Sequence, residues 1–378
     1  MNRLTLPDDA AIVSRLLDSI EALEARLPHE KHPDEPSEAE LGLLLSAAFW
    51  VSLQKEEGRS VRPALALLPP DAASNAFVFQ SPLPFTPEGL LKLGPAIPHK
   101  RRAVGLNRIP DGGLEIWGTC EPPFNTPLVV VAGTGAVAVR LFGRVLMHFS
   151  GGAPVFLDGA DASTLLSIVS TSVKDETSFA DPFSFSSAFL GLLRSMLEQG
   201  HGGTILAVQP GSTSWLDCLS SVRYQPVTPY SSLHETISRR EAAGQFPFEL
   251  GKATTAYRLE RFLDEEIDAV GVLTAVDGAV VVDFNLNVLG FGAMVRSSAT
   301  LHSTDPCAII EASATVAGRQ GTIAELGGSR HRSAADFCDA ERTAVAFVAS
   351  QDGKLTMMGW LPHEERLFAM RDVHYYLA

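Results

Sequence analysis

Hydrophobic positions in Ala10 to Leu27 recur at Ile12, Leu16, Leu17, Ile20 and Leu23, the spacing of one face of an amphipathic helix. His29 to Pro36 is polar with two prolines and breaks the pattern. Ser37 precedes Glu40 in a capping-box spacing, and the apolar run Leu41 to Leu53 follows, with Gly58 as a stop signal. The chain therefore opens with a helical hairpin. Pro63 to Pro98 mixes prolines with apolar residues and yields no assignment. From Ala103 the period shortens. Gly113 to Trp117, Leu128 to Ala132, Ala136 to Phe142 and Val145 to Phe149 alternate like successive strands between turn residues. Helical signals return at Ala162 to Ser170.

The second half reads differently. Ser186 to Gln199 carries Phe189, Leu190, Leu193 and Met196 on one helical face and stops at Gly200-His201-Gly202-Gly203. Thr204 to Val208 is a short buried strand. Ala253 to Asp268 reads as a helix, Ala269 to Ala275 and Ala279 to Asp283 as apolar strands, and Val288 to Val295 as another. A long connection rich in Ser, Thr and Ala leads to Gly327-Gly328-Ser329-Arg330-His331-Arg332, with a helix from about Ser333 to Thr343. The strands Ala344 to Ser350 and Lys354 to Trp360 form a closing hairpin about Gln351-Asp352-Gly353. Helices alternating with apolar strands indicate an α/β domain over 182–378, and the earlier pattern an α+β domain over 1–181. No internal repeat is visible.

Composition narrows the class. The 378 residues exceed what one core needs, and 46% hydrophobic with 20% charged residues is an ordinary globular balance. The net charge of -14 repels nucleic-acid backbone, which excludes a broad DNA or RNA surface but not a small phosphate ligand held by a few local cations. The four cysteines are far apart and read as free thiols. Met1 to Asp8 lacks the basic-then-apolar order of a secretory signal, and the longest apolar stretch, Leu41 to Val51, is too short for a bilayer. The expectation is a cytoplasmic protein with no membrane partner.

Three motifs have chemical potential. Gly133-Thr134-Gly135 follows an apolar strand as a dinucleotide fingerprint does, but the next residues are valine-rich, so a hairpin turn is the better assignment. Asp277-Gly278-Ala279 is first a turn signal; the same geometry lets a ligand approach the Gly278 backbone and offers a carboxylate to a hard cation. Gly328-Ser329-Arg330-His331-Arg332 sits at a helix start, where free N–H groups suit phosphate. Ser329 is a candidate N-cap or phosphate donor. Two arginines there oppose the helix dipole, which argues for an anionic partner; surface salt bridges are the plainer alternative.

Taken together, in this order and in an α/β setting, Asp277-Gly278-Ala279 and Gly328-Ser329-Arg330-His331-Arg332 resemble the diadenylate cyclase domain of the DNA-integrity-scanning and membrane-bound cyclase families. Ser329 stands where those families have threonine, and Gly202 to Val208 looks like their first strand. The resemblance covers about half the chain. It implies a mixed central sheet flanked by helices, ATP as ligand, a Mg2+ or Mn2+ ion on Asp277 and His331, and a homo-oligomer, since two domains must face each other to join two ATP molecules. It implies Asp277, Arg330 and His331 as catalytic residues, with Gly278, Ala279, Gly328, Ser329, Arg330 and Arg332 around the nucleotide. The connection Val295 to Leu326 is longer than usual in the family, and the N-terminal half matches neither partner domain of the known cyclases. In these respects the chain is similar to divergent members proposed as non-catalytic nucleotide sensors.

Overall fold

The computed structural model describes residues 6–25, 35–58, 60–97, 102–110, 112–142, 144–150, 152–157, 182–244, 262–299, 301–311, 319–351 and 353–377. The chain divides into two compact units, Met1–Asp161 and Ala162–Leu377. Sequence pattern put this boundary at 181; residues 158–181, with the helical signal at Ala162 to Ser170, lie outside the described residues. The fold is α/β with two mixed sheets.

In the first unit, α1 (Ala10–Glu24) and α2 (Glu38–Ser52) form the expected hairpin. Ser37 accepts from the Glu40 N–H at 3.3 Å, and Glu40 Oε2 accepts from the Ser37 N–H at 2.8 Å, so both halves of the capping box are present. The helix ends at Ser52, ahead of Gly58. Eight strands follow: β1 (Ala64–Leu67), β2 (Ser74–Pro84), β3 (Ala103–Arg108), β4 (Leu114–Glu121), β5 (Leu128–Gly133), β6 (Ala136–Leu141), β7 (Arg144–Ser150) and β8 (Ala153–Phe156), with α3 (Pro87–Leu93) between β2 and β3. Their order is β2-β4-β3-β1-β5-β6-β7-β8, and only β1 and β3 run parallel. The unassigned stretch from Pro63 thus holds β1, β2 and α3. Gly133 to Gly135 turns the β5–β6 hairpin, with Gly135 at φ +67. The two long helices lay Leu16, Leu41, Leu44 and Leu45 on Val129, Val137 and Phe149 of the sheet.

In the second unit the strands are β9 (Gly203–Val208), β10 (Leu219–Tyr224), β11 (Ala279–Asp283), β12 (Val288–Val295), β13 (Pro306–Glu311), β14 (Arg319–Thr322), β15 (Val345–Ala349), β16 (Leu355–Leu361) and β17 (Arg366–Arg371). Their order is β10-β12-β11-β9-β15-β16-β17-β13-β14. The pairs β9–β11 and β13–β17 are parallel. The helices are α4 (Pro182–Glu198), α5 (Ser232–Gly244), α6 (residues 262–271) and α7 (Ser329–Ala340). Alternate residues of the central strands face opposite layers. Leu206, Val281, Ala346 and Val348 pack with Ala334, Phe337 and Cys338 of α7. On the other face Phe347 meets Phe189 of α4 edge-on at 4.9 Å. Gly191 of α4 lets α6 come close, since a Cβ there would stand 2.9 Å from Ile267 Cδ1.

Two assignments change. Ala269 to Ala275, expected as a strand, completes α6 and continues as a 3-10 turn, Val272–Ala275, in which Thr274 Oγ1 donates to the Gly271 carbonyl at 2.7 Å. Its burial is the one-sided burial of a helix end, with Val270 1% exposed and Val272 47% exposed; a short apolar run in the sequence does not distinguish helix from strand. The long connection before α7 is not irregular throughout: it carries β13 and β14, paired antiparallel. The expected helix residues 253–261 lie outside the described residues. No described helix is long and apolar enough to cross a membrane, and all four cysteines are free.

Candidate functional site

The start of β9, the turn into β11, the end of β15 and the start of α7 meet at one end of the second sheet. They enclose a polar cavity of about 300 Å³. His201, Gly202 and Gly203 form one side, Thr274 to Gly278 another, and Arg330 and Gln351 complete it.

Each wall has a local cause. Gly278 has φ +106, and a Cβ there would fall 2.6 Å from the Gly292 carbonyl carbon and 2.8 Å from the Ala293 oxygen. The turn therefore presses onto β12, which only glycine allows, and Asp277 is left exposed at its tip. Gly202 has φ +68. Its missing side chain leaves room for Arg330, whose Nη2 donates to the His201 carbonyl at 3.3 Å.

The start of α7 differs from expectation. Gly328, not Ser329, is the N-cap, and the helix begins at Ser329, four residues ahead of the predicted Ser333. Ser329 already has helical backbone and so lies inside the helix. No side chain caps this end, and no acidic residue occupies the first turn, so its N–H groups keep their positive polarity.

Of the sequence-identified residues, Asp277, Gly278 and Arg330 line the cavity together. The others do not. Ala279 starts β11 and is 4% exposed in the core. Gly328 and Ser329 are exposed beside the cavity. His331 folds back over Gly327, where a Cβ would stand 2.8 Å from its Nδ1, and its Nε2 hydrogen-bonds Thr356 Oγ1 at 3.2 Å. Arg332 pairs with Asp336 at 3.2 Å and donates to the Leu301 carbonyl. Asp336 also accepts from the Ser298 N–H. Burial pushes its carboxyl above the usual range, against the pull of Arg332.

His201, Thr274, Ala275, Val276 and Gln351 were not singled out from sequence. The Gly-His-Gly-Gly cluster before a buried strand was the available signal for the first; a turn glutamine and a 3-10 turn carry none.

For a magnesium or manganese ion, Asp277 supplies one exposed carboxylate on the wall. That fits an ion held mainly by phosphate oxygens and water. His331, engaged with Thr356, is not placed as a ligand. No group of three or more His, Cys, Asp or Glu is gathered among the described residues.

Comparison with known proteins bears on the first unit. No curated protein matches the chain. Residues 30–121, which run from just before α2 through β4, match a family described as "Probable sensor domain DACNV", a sensor family associated with diadenylate cyclases.

Proposed function

We propose that the second unit is a nucleotide site of the diadenylate cyclase type, and that its polar cavity takes the phosphates of ATP. The supporting observation is that Asp277 and Arg330, from motifs far apart in sequence, face one cavity at an uncapped helix start. Arg330 offers the forked donor that suits a phosphate, and the backbone at Gly202 and Gly278 permits close approach. In the proposed reaction two copies face each other. Each 3′-hydroxyl attacks the α-phosphorus of the opposite ATP; a P–O bond forms, the bond to the β-phosphate oxygen breaks, and pyrophosphate leaves with the electron pair. Asp277 accepts or directs the hydroxyl proton, and Arg330 offsets the charge gathering on the phosphates. A magnesium or manganese ion, held by Asp277 and phosphate oxygens, would supply further charge neutralisation.

A second reading, a nucleotide sensor without chemistry, is favoured by one observation. His331 and Arg332 are engaged within the fold, which leaves Arg330 as the member of its motif on the cavity wall. The sensor-domain match over 30–121 agrees with that reading. Incubation of the purified chain with ATP and Mn2+, followed by product separation and a thermal melt with ATP, decides between them. Cyclic di-AMP supports the cyclase, an ATP-dependent rise in melting temperature without product supports the sensor, and the absence of both overturns the nucleotide site.

A further inference from the structure

A second concave surface lies on the other side of β12. A groove of about 580 Å³ is bounded by the end of β10, the 225–230 loop, the middle of β12 and the last turn of α6. Tyr224, Tyr230, Phe291, Val270 and Leu273 give it a mainly apolar lining, with Arg223 at its rim. The Tyr224 and Phe291 rings stack, with centroids 4.6 Å apart and planes 23° from parallel. Gly290 and Gly292 bring β10 close: a Cβ at 290 would lie 2.8 Å from Val222 Cγ1, and one at 292 would lie 3.2 Å from Arg223 Cβ. Opposite, Tyr230 is fixed by a backbone bridge to Val288 and by its hydroxyl donating to Glu266 at 2.7 Å. The walls are thus preformed, yet Tyr224 and Tyr230 remain 45% and 44% exposed. Arg223 is exposed, and its side chain makes no hydrogen bond or ion pair among the described residues.

We propose that this groove is a second ligand site, for a planar apolar small molecule that carries a negative charge. Its rings lie against Tyr224 and Phe291, and its anion meets Arg223. The groove's volume falls in the small-molecule range, whereas a protein partner needs a far broader face. The anion belongs at Arg223, the cation of the lining, and away from Tyr230, whose hydroxyl is held by the Glu266 carboxylate. No residue lines both this groove and the polar cavity, so the proposal stands apart from the nucleotide reading.

Two fluorescent probes test it on the full chain: 8-anilino-1-naphthalenesulfonate, an aromatic anion, and its uncharged counterpart N-phenyl-1-naphthylamine. Both should bind. Arg223→Gln should weaken the sulfonate about tenfold, the scale of one charge-assisted hydrogen bond, and leave the neutral probe unchanged. Tyr224→Ala should weaken both. Saturating ATP should displace neither. The Arg223 side chain is exposed and has no partner among the described residues, so its variant should keep the fold and the test remains decisive if Tyr224→Ala does not fold. Equal sulfonate binding by wild type and Arg223→Gln would overturn the proposal. So would competitive displacement by ATP, which would make the groove part of the nucleotide site.

Discussion

Gly202 makes room for Arg330: a Cβ at position 202 would stand 3.0 Å from Arg330 Nη1 and 2.8 Å from the Ala349 carbonyl oxygen. The residue also holds φ +68. Gly202→Ala should therefore lower stability by about 1–2 kcal/mol, the scale of a non-glycine residue forced into the left-handed region. It should also push the guanidinium out of the cavity. Thermal melts with and without ATP check both effects, and an unchanged ATP response in the variant would separate Arg330 from phosphate binding.

The two arginines of the α7 start should respond oppositely to removal. Arg330 is exposed, so Arg330→Ala should leave the unliganded melting temperature almost unchanged and remove most of the stabilisation by ATP. Arg332→Ala strips a partner from buried Asp336 and should destabilise the fold by about 2 kcal/mol whether or not ATP is present. Denaturant titration of the two variants is the measurement; equal stability losses would contradict the assigned roles.

Asp277→Asn keeps the size and turn preference of the residue and removes its charge. The site is exposed, so the fold should be retained, while any formation of cyclic di-AMP from ATP and Mn2+ should fall by orders of magnitude. Product formation at the wild-type rate would end the assignment of Asp277 to the reaction.

Glu40 links two elements: it completes the cap of α2 and pairs with Arg108 of β3 at 2.7 Å. Burial raises its carboxyl pKa, but hydrogen bonds from Arg108 and Ser37 outweigh burial and hold it below the usual carboxylate value. A lowered folded pKa stabilises above the unfolded value of about 4.3 and loses that contribution as pH falls through the folded value. Glu40→Gln should therefore melt earlier than wild type at pH 7, and the gap should close on acidification below pH of about 4. Melting curves across that range check the sign.

What could be read from the chain depended on how local its cause was. The α1–α2 hairpin, the Ser37–Glu40 cap and the β5–β6 hairpin follow from residues within a few positions of each other. So did the Asp277-Gly278 turn, whose glycine is required by its own backbone angle. The side-chain directions of Ala279, His331 and Arg332 were not local. Thr356 comes from β16 and Leu301 from a distant crossover, and nothing near residue 331 in sequence announces either partner. The apolar segment Ala269 to Ala275 failed for a different reason: it is only seven residues long, too short a run for apolar composition to separate helix from strand, although its burial is one-sided, at Val270, Gly271 and Thr274.

The crossover from β12 to β13 carries the chain past almost the whole width of the second sheet before α7 begins. Arg332 and Asp336 clasp it, one through the Leu301 carbonyl and the other through the Ser298 N–H. Helix α7 is thus anchored by its own first turns to a strap of the same protein. An anion arriving at Arg330 meets a helix end whose position is already set. The binding energy of the proposed ligand would then not be consumed in ordering the helix, and its affinity would rest on the contacts that the cavity itself provides.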